Sequence, residues 1–201
     1  VVGAGVDLFV IRGNTVSAEH VAQEGPEPLN LKQFIYELDA PAIVGVMGAN
    51  GAGKTTMFEL ITGGNQPTAG RVLVAGQDVH QVRYAQRDRL ALHYHQSYQV
   101  RAFKRTKPSF MRQHAHSERA LVHLFDEPQF NTQDGYIGFM LDFFRSLKDG
   151  GSVVFVCLHP NEPFHIALMR EICERFVFVR NGRLTHGGTL AEMAAGDPFR
   201  D

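Results

Sequence analysis

The residues with the clearest chemistry form a glycine-rich stretch at positions 48–55, GANGAGKT, which matches the pattern G-x-x-x-x-G-K-[ST] at every position. Glycines let a backbone wrap closely around phosphate groups and point its N–H groups at them. In this pattern the lysine reaches the β- and γ-phosphates of a nucleotide, and the next hydroxyl ligates Mg²⁺. We therefore predict a site for ATP with Mg²⁺ whose binding residues are Gly48, Asn50, Gly51, Ala52, Gly53, Lys54, Thr55 and Thr56.

Two acidic residues, Asp126 and Glu127, follow the apolar run 121–125. Open α/β sheets bind their ligands at the carboxyl ends of their strands, so these carboxylates are expected beside the phosphate loop. Asp126 is suited to hold Mg²⁺, and Glu127 can polarise a water molecule as a general base. The alternative is an ordinary acidic turn that Pro128 ends, and the complete phosphate loop upstream makes that interpretation the weaker one.

Two kinds of pattern alternate along the chain and indicate the elements that carry these residues. Apolar runs, typical of strands buried on both faces, occupy 42–47, 121–125 and 153–158. Helical patterns occupy 55–61, 136–147 and a third segment marked by Phe164, Leu168 and Ile172. Strands that alternate with helices predict an α/β fold with a mostly parallel sheet flanked by helices. The segments 176–180 and 183–185, joined by Asn181-Gly182, predict a C-terminal hairpin.

With these motifs the chain resembles the ATP-binding cassette (ABC) ATPases. The segment 48–76 looks like the family's phosphate loop, following helix and next strand, and 126–128 looks like its magnesium aspartate, catalytic glutamate and proline. The tail 175–184 resembles the family's closing hairpin. The resemblance covers roughly residues 40–100 and 118–195. It implies a P-loop NTPase fold with an N-terminal antiparallel β portion, in a single nucleotide-binding domain over 1–201.

Three further residues are placed like functional residues of this family. Gln96 resembles the Q-loop glutamine that senses Mg²⁺ and the γ-phosphate, and His159 resembles the switch histidine that contacts the γ-phosphate. Asp134 is similar to the D-loop aspartate, although it lies one residue further from Glu127 than usual. The resemblance implies catalytic roles for Glu127, His159 and Gln96, and metal-binding roles for Thr55, Asp126 and Gln96.

The resemblance also implies an activity and a partner. Proteins of this family hydrolyse ATP with Mg²⁺ and energise a transmembrane transporter subunit, which implies a cytoplasmic protein, peripheral on the inner face of the cell membrane. A soluble ABC-like ATPase or nucleotide switch acting on a protein or nucleic-acid partner is an alternative. A P-loop kinase of small molecules is a further one, although Glu127, Pro128 and His159 argue against it.

The sequence departs from the family between Gln96 and Asp126. The signature LSGGQ is absent, and the segment 107–113, KPSFMRQ, resembles it only weakly. The helical subdomain that carries the signature is reduced, between about 97 and 117, and no aromatic residue in 13–32 stands where the family stacks adenine. In the family, the signature helix of one subunit points its positive end at the γ-phosphate held by the other. We therefore expect weak hydrolysis in isolation and a second ATPase subunit as a candidate partner.

The charge balance excludes one class of function. The chain of 201 residues has 20 Lys+Arg and 21 Asp+Glu, a net charge of -1, which excludes nucleic-acid binding through bulk charge. A basic segment contains Arg101, Lys104, Arg105, Lys107 and Arg112. It can be a solvated loop, a docking surface for the transmembrane partner, or a lid of phosphate-clamping arginines.

The cysteines and histidines predict no further chemistry. Cys157 and Cys173 lie in apolar or helical surroundings and are expected to be buried, reduced thiols. The pair His93/His95 has the spacing of a strand or loop, without matching cysteines or carboxylates. No metal other than Mg²⁺ is expected.

Overall fold

The computed structural model describes residues 9–10, 36–38, 40–67, 71–94, 120–128, 136–158, 163–180 and 183–187. Within these residues the strands are β1 (Phe9–Val10), β2 (Tyr36–Glu37), β3 (Ile43–Met47), β4 (Val72–Val74), β5 (Gln77–Asp78), β6 (Ala91–Tyr94), β7 (Val122–Asp126), β8 (Val153–Cys157), β9 (Arg175–Arg180) and β10 (Arg183–Gly187). The helices are α1 (Lys54–Ile61), α2 (Tyr84–Arg87), α3 (Tyr136–Asp149) and α4 (Pro163–Ile172). None of these helices is long and apolar enough to cross a membrane.

A six-stranded sheet in the order β10-β9-β3-β8-β7-β6 forms the centre of the fold. The strands from β9 to β6 are parallel to one another, and β10 pairs antiparallel with β9. Every residue of β3, β7 and β8 is buried, which is the pattern that continuous apolar runs predict. The predicted fold class, a mostly parallel sheet flanked by helices, is confirmed.

A smaller sheet has the order β2-β1-β4-β5. The strands β4 and β5 pair antiparallel, whereas β1 is parallel to both β2 and β4. The predicted N-terminal antiparallel β portion therefore corresponds to the β4–β5 pair. At the end of the chain, β9 and β10 form the predicted hairpin with Arg180 opposite Arg183. Asn181 and Gly182, which were expected to make its turn, lie outside the described residues.

The two faces of the central sheet pack against different elements. One face packs on α1 and the smaller sheet through buried side chains such as Phe58, Val74 and Phe155. The other face packs on α3 and α4 through side chains such as Phe144 and Met169. Because β3, β8, β7 and β6 are parallel, their carboxyl ends meet at one edge of the sheet, and the phosphate loop follows β3 at that edge.

We expect Phe143→Ala to lower the free energy of unfolding by about 3–5 kcal/mol, because truncating a buried ring leaves a cavity. Phe143 is fully buried on α3, and its ring packs edge-on against Phe125 with 5.8 Å between the centroids. The neighbouring Asp142 is exposed, so Asp142→Ala should change stability by no more than about 0.5 kcal/mol. Urea unfolding followed by circular dichroism measures both variants, and equal small losses would contradict this assignment of the core.

Candidate functional site

The loop between β3 and α1 carries the glycines of the predicted phosphate loop. Gly51 and Gly53 have φ values of 76° and 105°, in the left-handed region that glycine adopts at little cost. The Ala52 N–H donates to the Ala49 carbonyl at 3.1 Å, and the Met57 N–H donates to the Gly53 carbonyl at 2.9 Å. The loop thus turns tightly and delivers the chain into the N-terminus of α1, whose N–H groups and positive dipole end favour an anion.

Lys54, the first residue of α1, is only 6% exposed. Its Nζ donates to the carbonyl oxygen of Gly48 at 2.7 Å and to that of Ala49 at 2.8 Å. A buried ammonium group is costly unless it is hydrogen-bonded, and these two bonds hold it within the curve of the loop. Lys54 therefore places a positive charge where the sequence predicts the phosphates.

The Asp126 carboxylate contacts the phosphate-loop residue Thr55 at the carboxyl ends of the parallel strands. Asp126 is the last residue of β7 and is 4% exposed. Its Oδ2 accepts a hydrogen bond from the Thr55 hydroxyl at 2.8 Å. A carboxylate beside a hydroxyl is a pair of hard oxygen ligands, and Mg²⁺ in nucleotide sites binds to one or two such groups together with substrate phosphates. The donor set at Thr55 and Asp126 therefore fits Mg²⁺.

Glu127 leaves the sheet with a left-handed backbone, at a φ of 49°. This conformation is uncommon for a residue other than glycine and costs on the order of 1–3 kcal/mol. The Glu127 N–H donates to the Cys157 carbonyl at 3.0 Å, which holds the turn against the end of β8. Glu127 lines the same cleft as Lys54 and Thr55. A carboxylate in this position can accept a proton from a water molecule beside a bound phosphate.

The structure gathers the phosphate loop and the acidic pair around one cleft of about 380 Å³, lined by Asn50, Gly51, Gly53, Lys54, Thr55, Thr56, Asp126 and Glu127. Gly48 and Ala52 belong to the same loop. Ala52 is buried, and a Cβ atom on Gly48 would collide with the Val179 carbonyl oxygen. Gln96, Asp134 and His159 lie outside the described residues, as does the basic segment 101–112, so the roles inferred for them stay predictions.

Two residues beside Asp126 were not predicted as part of the site. The Nε2 atom of His93, on β6, lies 3.7 Å from Asp126 Oδ2, and the His93 ring packs edge-on against Phe58. Cys157, the last residue of β8, lies opposite Asp126 in the strand register. The signal that could have found them is their position near the carboxyl ends of strands on either side of β7, on the face that Asp126 occupies.

The chain matches one family model, that of the ABC transporter family, over residues 31–134, slightly more than half of its length. It is similar to the ATP-binding protein ChvD of Rhizobium radiobacter, with 42% identity over 65 residues, 32% of this chain and 22% of that protein. It is also similar to the cytochrome c biogenesis ATP-binding export protein CcmA of Escherichia coli strain K12, with 52% identity over 48 residues, 24% of this chain and 23% of that protein. Each match spans less than a quarter of the curated relative.

Solved structures with a similar fold include a nucleotide-free ATP-binding cassette from an ABC transporter, with a TM-score of 0.63 and 13% identity over 96% of both chains. A bacterial Atm1-family ABC exporter with ATP bound has a TM-score of 0.62 and 15% identity, over 82% of this chain and 37% of that one. At these identities the likeness establishes the fold.

Proposed function

Because this chain belongs to the ABC transporter family, we propose that it binds ATP with Mg²⁺ in the cleft described above, hydrolyses it, and energises a membrane transporter. The observation that carries the proposal is the 2.8 Å hydrogen bond between Thr55 and Asp126, beside the buried Lys54. It brings a phosphate-loop hydroxyl and a strand-end carboxylate, far apart in the sequence, to one point of the cleft.

The phosphate loop would bind the nucleotide through its backbone N–H groups and Lys54. The ammonium group of Lys54 already lies within the loop, so binding requires it to exchange carbonyl partners for phosphate oxygens rather than to cross the cleft. Such charge-assisted hydrogen bonds are stronger than those to neutral carbonyls. Thr55 and Asp126 would hold Mg²⁺, which when bound neutralises phosphate charge.

Glu127 is proposed as the general base of hydrolysis. A water molecule in the cleft would attack the γ-phosphorus while the bond from that phosphorus to the bridging oxygen of ADP breaks, and Glu127 would accept the proton that the water loses. The hydrogen bond from its N–H to the Cys157 carbonyl supports this role, because it fixes the backbone that carries the carboxylate. His159 is proposed to contact the γ-phosphate, and Gln96 to sense the metal and the γ-phosphate.

The proposed partner is a transmembrane transporter subunit, with this chain peripheral on the cytoplasmic side of the membrane. The similar proteins support it, because one relative is an export protein and one structural neighbour is an ABC exporter. The absent LSGGQ signature favours a second ATPase subunit that completes the site. The reduced helical subdomain between about 97 and 117, the part of the family through which transporters couple, favours the other candidate function, a soluble ABC-like ATPase or nucleotide switch on a protein or nucleic-acid partner.

Affinity purification of the tagged chain from detergent-solubilised membranes tests the proposed partner. We expect an integral protein with several membrane spans to co-purify, and to persist after a wash at high salt that removes weak charge contacts. A tagged Lys54→Ala chain tests whether capture requires nucleotide. Recovery of the protein only from the soluble fraction, with a soluble macromolecule bound, would contradict the transporter proposal and support the alternative.

A further inference from the structure

The face of the central sheet that packs on α1 changes from apolar to polar at the carboxyl ends of two neighbouring strands. Along β7 the residues buried on this face are Val122 and Leu124 before Asp126, and along β8 they are Val153 and Phe155 before Cys157. The register pairs these residues one with another, ending with Asp126 opposite Cys157. On β8, Cys157 thus follows Val153 and Phe155 on this face, and it lies directly beside Asp126, the carboxylate predicted to hold the metal.

Cys157 contacts both acidic residues of the cleft. Its side chain lies opposite that of Asp126 in the strand register, with both side chains buried and within hydrogen-bonding reach of each other. Its carbonyl oxygen accepts the Glu127 N–H at 3.0 Å. It is fully buried and does not line the cleft of about 380 Å³. Cys157 therefore contacts Asp126 and Glu127 from the protein interior, at a position where it does not touch a ligand in the cleft.

The chemistry of the two groups fixes the direction of this side-chain contact. An ionised carboxylate can only accept hydrogen bonds, whereas a thiol carries an S–H donor. The S–H of Cys157 is therefore the donor and the Asp126 carboxylate is the acceptor. Thr55, on α1, and Cys157, on β8, thus both present a donor to this carboxylate.

We propose that Cys157 is a positioning residue, whose thiol orients the Asp126 carboxylate for Mg²⁺–ATP. This inference rests on the proposed function, in which Thr55 and Asp126 hold the metal. Since the Thr55 hydroxyl is itself assigned to the metal, its bond to Asp126 is not a fixed support. The thiol has no such second role. Groups that hydrogen-bond to metal ligands in this way typically contribute 10–100-fold to metal affinity, and a thiol is a weak donor.

The test measures ATP affinity by calorimetry, once with Mg²⁺ and once with EDTA, for Cys157→Ala, Cys157→Ser and the unaltered chain. The matched control is Cys173→Ala, which truncates the other buried cysteine, a member of the core on the opposite face of the sheet. We expect Cys157→Ala to weaken ATP binding about tenfold with Mg²⁺ and to leave the affinity in EDTA unchanged. Cys157→Ser keeps a donor and should stay close to the unaltered chain, as should Cys173→Ala.

Two results would overturn the inference: an unchanged affinity of Cys157→Ala with Mg²⁺, or an equal loss with Mg²⁺ and with EDTA, which would indicate general damage. Thermal unfolding of each variant shows whether it folds. If the unaltered chain binds ATP equally well with and without Mg²⁺, the assigned metal site fails instead.

An infrared measurement tests the contact independently of nucleotide and metal. The S–H stretching band lies in a window free of other protein absorption and moves to lower frequency when the thiol donates a hydrogen bond. Cys173→Ala leaves only the Cys157 band, because the chain has two cysteines. In that background, we expect Asp126→Ala to move the band to higher frequency. A band that stays in place would overturn the inference.

Discussion

Replacing Lys54 by alanine is expected to weaken ATP binding by about 100-fold or more. The substitution removes a charge that two carbonyls of the loop hold in place, and hydrogen bonds to charged groups contribute about 1.5–3 kcal/mol each, where 1.4 kcal/mol is tenfold in affinity. Titration calorimetry with Mg²⁺–ATP measures the effect.

Lys148→Ala is the matched control for this variant. Lys148 lies on α3, and its Nζ is 2.6 Å from a Glu174 carboxylate oxygen, so the control also removes a paired lysine but leaves the cleft intact. Its affinity for ATP should equal that of the unaltered chain. An unchanged affinity of Lys54→Ala would show that the phosphates bind elsewhere.

Glu127→Gln should bind ATP as the unaltered chain does and hydrolyse it about 10²–10⁴ times more slowly. The amide keeps the size of the side chain and cannot accept the proton from the attacking water. Single-turnover measurements, with the protein in excess of Mg²⁺–ATP and at a concentration above the Kd, separate the chemical step from binding.

Glu171→Gln on α4 is the control for Glu127→Gln, because Glu171 is an exposed glutamate paired with Arg145. It should change neither binding nor turnover. If Glu127→Gln retains full turnover, another group is the base, and Asp134 is the next candidate. If it loses ATP binding as well, Glu127 contributes to the ground state and its proposed role is wrong.

The main elements around the site could be predicted because their sequence signals are strong. The runs 42–47, 121–125 and 153–158 correspond to β3, β7 and β8, with ends shifted by one residue at most. The shift at β7 matters chemically. The apolar run ends at Phe125, but pairing with Cys157 continues the ladder by one residue, so Asp126 belongs to the strand and is buried.

Other elements were hidden from sequence patterns for physical reasons. In β6, ALHY, the polar ring of His93 interrupts the apolar pattern, and only the fold shows that it faces Asp126. The strand β5 and the helix α2 span two and four residues, too few to display a period. The three-residue strand β4 was expected from the family resemblance alone.

The backbone of Glu127 could not be predicted either. A residue before proline favours an extended conformation, whereas Glu127 has a φ of 49°. The bond from its N–H to the Cys157 carbonyl comes from the neighbouring strand. A contact between residues so distant in sequence leaves no local signal. The sequence therefore predicts the role of Glu127 but not its backbone conformation.

The most direct test of the proposed function is a calorimetric titration of the unaltered chain with ATP, in Mg²⁺ and in EDTA, beside a titration with adenosine. The proposed site recognises phosphates through the loop and Lys54, and a metal through Thr55 and Asp126. It therefore predicts saturable binding of one ATP per chain, tighter with Mg²⁺ than in EDTA, and far weaker binding of adenosine. No saturable binding of ATP with Mg²⁺, or equal affinity for ATP and adenosine, would contradict it.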